Sequence, residues 1–113
     1  EAGGAKVIVG EMPAAPVEQI RQQLDRLREK AKSAVVVVGW ADEGKVGLLS
    51  LVTDDLGKKG LHAGKLVGEV AKVVGGKGGG PPTGIAQAGG KDASKLGEAL
   101  QLARKLAMDK LSG

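Results

Sequence analysis

The sequence predicts an α/β (α+β) fold, with a single mixed sheet of about four strands and three helices in the order β-α-β-β-α-β-α. Two stretches, near residues 17–31 and 96–111, repeat apolar residues every three or four positions, as amphipathic helices do. A continuous β-branched run at 34–40 is typical of a strand that is covered on both faces. With 113 residues, the chain is expected to form one globular domain.

The first half of the chain predicts a βαβ unit followed by a hairpin. Residues 6–9 form the first strand, and Pro16 suits the first position of a helix that extends to about residue 32. This helix is expected to pack on its own sheet through a stripe formed by Val17, Ile20, Leu24, Leu27 and Ala31. Turn chemistry ending in Gly44 then joins the strand at 34–40 to an antiparallel strand at 45–53.

The second half predicts two more helices around a short strand. Asp54 and Asp55 open a polar connector that we interpret as a solvated turn, because no third metal ligand is in view. A helix at 61–74 should end where Gly75 adopts a left-handed cap. A short strand is expected at 85–88, and Asp92 suits the N-cap of the last helix. The apolar face of that helix comprises Leu96, Ala99, Leu100, Ala103, Leu106, Ala107 and Leu111.

Residues 75–90 form a glycine stretch in which eight of sixteen positions are glycine. One interpretation is a flexible connector. The other is an uncovered backbone whose N–H groups, beside Lys77 and Lys91, would suit an anion such as a nucleic-acid phosphate. The charge distribution favours the second interpretation, because residues 56–113 carry a net charge of +6 and residues 1–55 a net charge of −2.

The residue types exclude most catalytic and metal sites. The chain has no cysteine and one histidine, His62, and it contains neither a Walker A loop, a GxGxxG motif nor a GxSxG motif. We therefore expect no catalytic residue, no metal and no cofactor. Trp40 is the only aromatic residue, so we expect it to pack in the core rather than to stack bases. No apolar run approaches the ~20 residues of a membrane span, so no membrane partner is expected.

Three motifs carry a family resemblance: GGKGGG at 75–80, AQAGGKD at 86–92 and KLGEAL at 95–100. Together they closely resemble the C-terminal, DHHA1-type domain of alanyl-tRNA synthetases, and similar upstream segments extend the likeness over essentially the whole chain. DHHA1 domains also occur in DHH phosphoesterases, where His and Ala-Ala-Gly typically follow the glycine run. The Ala-Gln pattern at Gln87 favours the synthetase. The usual Arg and Asp between these motifs are absent, replaced by Pro81, Pro82, Thr83, Gly84 and Ile85.

The resemblance implies a non-catalytic module of a cytoplasmic enzyme. Its partners would be the elbow of tRNA(Ala) and the upstream aminoacylation and editing domains of the same chain, and the start at Glu1 fits a fragment. The candidate RNA-binding residues are Lys77, Lys91, Gln87, Gly76, Gly78, Gly79, Gly80, Lys58, Lys59 and Lys65. Two alternatives remain: the substrate-binding lobe of a DHH phosphodiesterase, and a structural or dimerisation module using the helix at 16–32, with weak self-association.

Overall fold

Five strands form one mixed sheet in the order β1-β2-β3-β5-β4. The computed structural model describes residues 5–13, 15–30, 32–80 and 84–112. The β1–β2 pair is parallel, and the other three pairs are antiparallel. The strands are β1 (Lys6–Glu11), β2 (Ala34–Asp42), β3 (Lys45–Val52), β4 (Lys77–Gly79) and β5 (Gly84–Gly90). The helices are α1 (Val17–Lys30), α2 (Asp54–Gly57), α3 (Ala63–Val73) and α4 (Leu96–Ser112).

The helices cover the two faces of the sheet unequally. On one face, Ile20 and Leu24 of α1 are buried in a cluster with Trp40, Leu49 and other strand residues. On the opposite face, α3 and α4 bury a larger aliphatic cluster. The predicted apolar stripe of the first helix therefore packs on its own sheet, which leaves Ile20 and Leu24 unavailable for a dimer contact. Ala31, the last stripe residue, lies outside the described residues, as do Glu1 and residues 81–83.

The fold class is confirmed, with two additions to the expected elements. Residues 77–79 form a fifth strand. The sequence does not predict it, because Lys-Gly-Gly lacks the β-branched and aromatic residues typical of strands. The expected solvated turn at Asp54 and Asp55 is instead a one-turn helix, α2, which is too short for apolar periodicity to reveal. Gly44 has the expected positive φ, +80°.

α3 lies so close to β4 that backbone meets backbone. A Cβ atom at Gly64 would lie 2.6 Å from Gly80 N, and one at Gly68 would lie 3.1 Å from Gly78 O. Real Cβ atoms essentially never approach within 3.0 Å of such a neighbour. Glycine at position 64 is therefore required by the space, although it weakens a helix by about 1 kcal/mol relative to alanine.

The two elements match in length along this contact. Four helical residues rise about 6 Å, and two strand residues rise about 6.8 Å. Gly64 and Gly68 are four residues apart on α3, and Gly80 and Gly78 are two apart at β4. Gly64 therefore lies over Gly80, just beyond β4, and Gly68 lies over Gly78, so the same backbone contact occurs twice along the helix.

Both ends of α3 are fixed by hydrogen bonds. Ser50 is fully buried on β3, and its Oγ donates to Ala63 O at 2.9 Å. At the other end, Gly75 has φ +68°, as expected of a left-handed cap. Gly76 N donates to Ala71 O at 2.9 Å and Gly75 N to Lys72 O at 3.2 Å, which together form a Schellman motif.

Asp55 joins the start of β2 to the end of β3. Its carboxylate accepts hydrogen bonds from Ser33 Oγ and, at 2.7 Å, from Thr53 Oγ1. Thr53 Oγ1 in turn accepts from Ala34 N at 3.1 Å. The hydrogen bonds from Ser33 and then from Thr53 lower the pKa of Asp55 below its usual value of 3.8.

We expect Gly64→Ala to destabilise the domain and Gly97→Ala to leave it as stable or more stable. Both glycines lie in helices, but a Cβ at Gly97 meets nothing within 4 Å. Overpacking at position 64 should lower the free energy of unfolding by about 1–3 kcal/mol or more, and the gain at position 97 should be up to about 1 kcal/mol. Urea unfolding of both variants measures the difference, and equal effects would contradict the close contact of α3 with β4.

We expect Asp55→Asn to lower the free energy of unfolding at neutral pH and to make that free energy fall less steeply as the pH is lowered. A carboxyl whose pKa is lowered by folding stabilises the folded state above its unfolded pKa, 3.8, and loses that contribution as pH falls through the folded pKa. The difference in unfolding free energy between the native protein and the variant should therefore shrink below about pH 4. Urea unfolding between pH 7 and pH 2.5 measures it, with Asp54→Asn as the matched control. The same pH profile in both variants would contradict the role of Asp55.

Candidate nucleic-acid interface

Lys77 and Lys91 lie together at one end of the sheet. Lys77, the first residue of β4, pairs with Gly89 near the end of β5, and Lys91 directly follows that strand. The two lysines line a surface depression of about 390 Å³ with Gly75, Gly76, Gly89 and Gly90. Both lysines are exposed. The structure thus brings together the lysine inside the glycine stretch and the lysine that directly follows it.

The other three predicted lysines form a separate group. Lys58 and Lys59 follow α2, and Lys65 lies in the first turn of α3. Lys65 lines a second depression, of about 350 Å³, with Lys110 and His62. His62 is the N-cap of α3, and its Nδ1 accepts from Lys65 N at 3.0 Å. This second depression shares no residue with the one that Lys77 and Lys91 line, so the predicted set is not one site.

The backbone N–H groups beside the first pair of lysines are not bare. Gly75 N and Gly76 N are used in the Schellman motif, and Lys91 N and Asp92 N both donate to Val74 O, at 2.8 and 2.9 Å. The expectation of free backbone donors at these positions is wrong, because the same groups close the end of α3. An anion at this depression would therefore be attracted by the two ammonium groups rather than by an N–H cradle.

The space around the glycines of the stretch differs from one position to another. Gly76, Gly78, Gly80 and Gly90 have no room for a Cβ atom, which would lie 2.5–2.9 Å from Gly89 C, Ala88 Cα, Ala86 Cβ or Val74 O respectively. Gly79 is different, because a Cβ atom there would meet nothing within 4 Å. Packing therefore explains those four glycines, and it does not explain why position 79 lacks a side chain.

Gln87 and Lys77 occupy the α1 side of the sheet. Gln87 Oε1 accepts a long hydrogen bond, 3.4 Å, from Arg21 Nη2 of α1. Its neighbours Ala86 and Ala88 are buried in the cluster on the opposite face. Directly paired residues of antiparallel strands share a face, so Lys77, opposite Gly89, and Gly79, opposite Gln87, are also on the α1 side. Gly78 and Gly80 face α3 instead.

Trp40 packs in the core, as predicted. It is only 8% exposed and belongs to the cluster beneath α1. Its indole lies over Gly47, where a Cβ atom would be 2.6 Å from Trp40 Nε1. The ring is therefore held against the sheet and does not provide a free surface for stacking.

Within the described ranges, no three His, Asp or Glu side chains are grouped so that they would hold a metal ion. None of the helices in the described part of the chain is long and apolar enough to cross a bilayer.

A family model described as the DHHA1 domain matches residues 4–109. The chain belongs to the DHHA1 family. It is 52% identical over 101 residues to an alanine–tRNA ligase of Pelotomaculum thermopropionicum, which covers 89% of this chain. It is 53% identical over 100 residues to an alanine–tRNA ligase of Geobacillus thermodenitrificans, which covers 88%. The DHHA1 chain spans only 11% of the length of each of these relatives.

A solved structure agrees with this assignment. The C-Ala domain from Aquifex aeolicus alanyl-tRNA synthetase has a TM-score of 0.81 and 31% sequence identity, covering 100% of this chain and 96% of that one. The resemblance to the C-terminal domain of alanyl-tRNA synthetases is thus confirmed. These relatives favour the synthetase over the phosphodiesterase lobe, and they match the chain to a small, non-catalytic part of a ligase.

Proposed function

We propose that this DHHA1 domain is a tRNA-binding module of an alanyl-tRNA synthetase. In this proposal it contacts the elbow of tRNA(Ala) and helps to link aminoacylation with editing. Its other partners are the upstream domains of the same chain, which perform those two reactions in the cytoplasm. The likeness to the C-Ala domain and to alanine–tRNA ligases supports the proposal.

The observation that carries the proposal is the exposed, cationic and side-chain-free surface at β4. Lys77 and Lys91 are exposed there, and Gly79 follows Lys77 by two residues along β4, where no packing requirement explains the missing side chain. A nucleic-acid backbone is attracted by such cations and releases its counterions on binding. A bare strand also lets a bulky ribose or base approach the peptide backbone closely.

The lysine group at Lys58, Lys59 and Lys65 has a secondary role in this proposal. Lys65 lies on α3, which covers the opposite face of the sheet from Lys77 and Gly79. An RNA strand held at Lys77 on the α1 side therefore does not reach Lys65. We expect them to increase the rate of encounter at low salt more than they stabilise the bound complex.

We expect Lys77→Ala to weaken tRNA(Ala) binding and to reduce its salt dependence. Losing one phosphate contact should lower the magnitude of the slope of log K against log salt by about 1. Titration at several salt concentrations measures this slope, with the fluorescence of Trp40 or of a labelled tRNA as the signal. Lys105→Ala is the matched control, because Lys105 is an exposed lysine of α4, on the opposite side of the sheet.

Two outcomes of that titration would contradict the proposal. If the native domain does not bind tRNA(Ala), or binds with an affinity that does not fall as salt rises, the phosphate contacts are wrong. If Lys77→Ala and Lys105→Ala weaken binding equally, the effect is one of net charge, and β4 is not the binding surface.

We expect Gly79→Val to keep the fold and to weaken RNA binding several-fold. The side chain enters open space on the α1 side, and a β-branched residue suits a strand, so urea unfolding should show no loss of stability. The same side chain would hold RNA away from the backbone of β4. Native affinity in a stably folded Gly79→Val variant would exclude close approach of RNA at this position.

A further inference from the structure

Two arginines of α1 lie alongside β5. Arg21 Nη2 is 3.4 Å from Gln87 Oε1, and Arg28 Nη1 is 3.6 Å from the position that a Cβ atom of Gly84 would take. Seven helical residues rise about 10.5 Å, and three strand residues rise about 10 Å. The two contacts therefore fit a helix that runs antiparallel to the strand and follows it closely.

The position of these arginines on the helix separates them from the other charges of α1. Residues seven apart differ by only about 20° around a helix, so Arg21 and Arg28 project in the same direction, beside the buried stripe of Ile20 and Leu24. Arg26 is about 140° from Arg21 and projects to the opposite side. Asp25 lies about 40° from Arg21, further from the stripe, and is exposed.

Four cations consequently follow β5 from one end to the other. Arg28 lies at Gly84, Arg21 at Gln87, Lys77 opposite Gly89, and Lys91 directly after the strand. From residue 84 to residue 91 the chain extends about 24 Å. Gln87, Gly79 and Gly89 lie between these cations on the α1 side, and Gln87 and Gly79 are exposed.

We propose that this row, the β5 track of Arg28, Arg21, Lys77 and Lys91, holds the phosphate backbone of one RNA strand on the α1 side of the sheet. This inference rests on the proposed function, and it adds two arginines and the course of the strand. A guanidinium group binds phosphate through a planar pair of donors. The side-chain oxygen of Gln87 holds the Arg21 guanidinium at the track, and the bare glycines leave room for ribose.

The test compares two double variants that carry the same net charge. Arg21→Gln with Arg28→Gln removes the two arginines of the track, and Arg26→Gln with Arg104→Gln removes two exposed arginines away from it. We expect the first pair to weaken tRNA(Ala) binding about tenfold or more and to lower the magnitude of the salt slope by about 2. The control pair should change the affinity less than twofold. Urea unfolding of both pairs establishes that they are folded.

A third variant separates charge from local structure. Arg21→Lys with Arg28→Lys retains both charges but loses the planar pair of donors and the hydrogen bond to Gln87, so affinity should fall less than in the glutamine pair and the salt slope should stay close to the native value. Equal weakening by the two glutamine pairs would overturn the β5 track while leaving RNA binding intact. A salt slope lowered as much in the lysine pair as in the glutamine pair would also overturn it. Absence of binding by the native domain would instead contradict the proposed function itself.

Discussion

The backbone contact between α3 and β4 is the constraint on which the rest of the structure depends. Gly64 and Gly68 lie directly over Gly80 and Gly78, so α3 approaches the edge of the sheet more closely than side chains would allow. This approach positions the end of α3, where Val74 O accepts from both Lys91 N and Asp92 N. The end of β5 and the start of β4 are therefore held together, and with them the two exposed lysines.

Periodicity and residue type were sufficient to predict most of the fold. The stripes of α1 and α4, the β-branched run of β2 and the turn at Gly44 each have a signal within a few residues, because burial imposes a pattern on the sequence. β4 has no such signal, because neighbouring backbone and alanine atoms leave no room for side chains at Gly78 and Gly80. The sequence therefore predicts only one of the two strands in the glycine stretch, the strand at 85–88.

The candidate site was predicted in part, for a related reason. Lys77 lies within the glycine stretch and Lys91 directly follows it, and the two also meet in space, so proximity along the chain was informative. Lys58, Lys59 and Lys65 belong to the same basic half, but they do not line the depression that the first pair shares. Arg21 lies in the acidic half of the chain, and only the packing of α1 beside β5 brings it to Gln87. Charge summed along a sequence does not show which face of a sheet a side chain occupies.

The glycine contacts also limit how this domain can change during evolution. A clash between two side chains is relieved when a second substitution makes one of them smaller. At Gly64 the obstacle is the backbone of Gly80, and no substitution makes a backbone smaller, so compensating mutations are not available there. Side chains therefore cannot be introduced by single substitutions on the α3 side of β4. The α1 side, where Gly79 borders open space, can accept new side chains one at a time without disturbing the core.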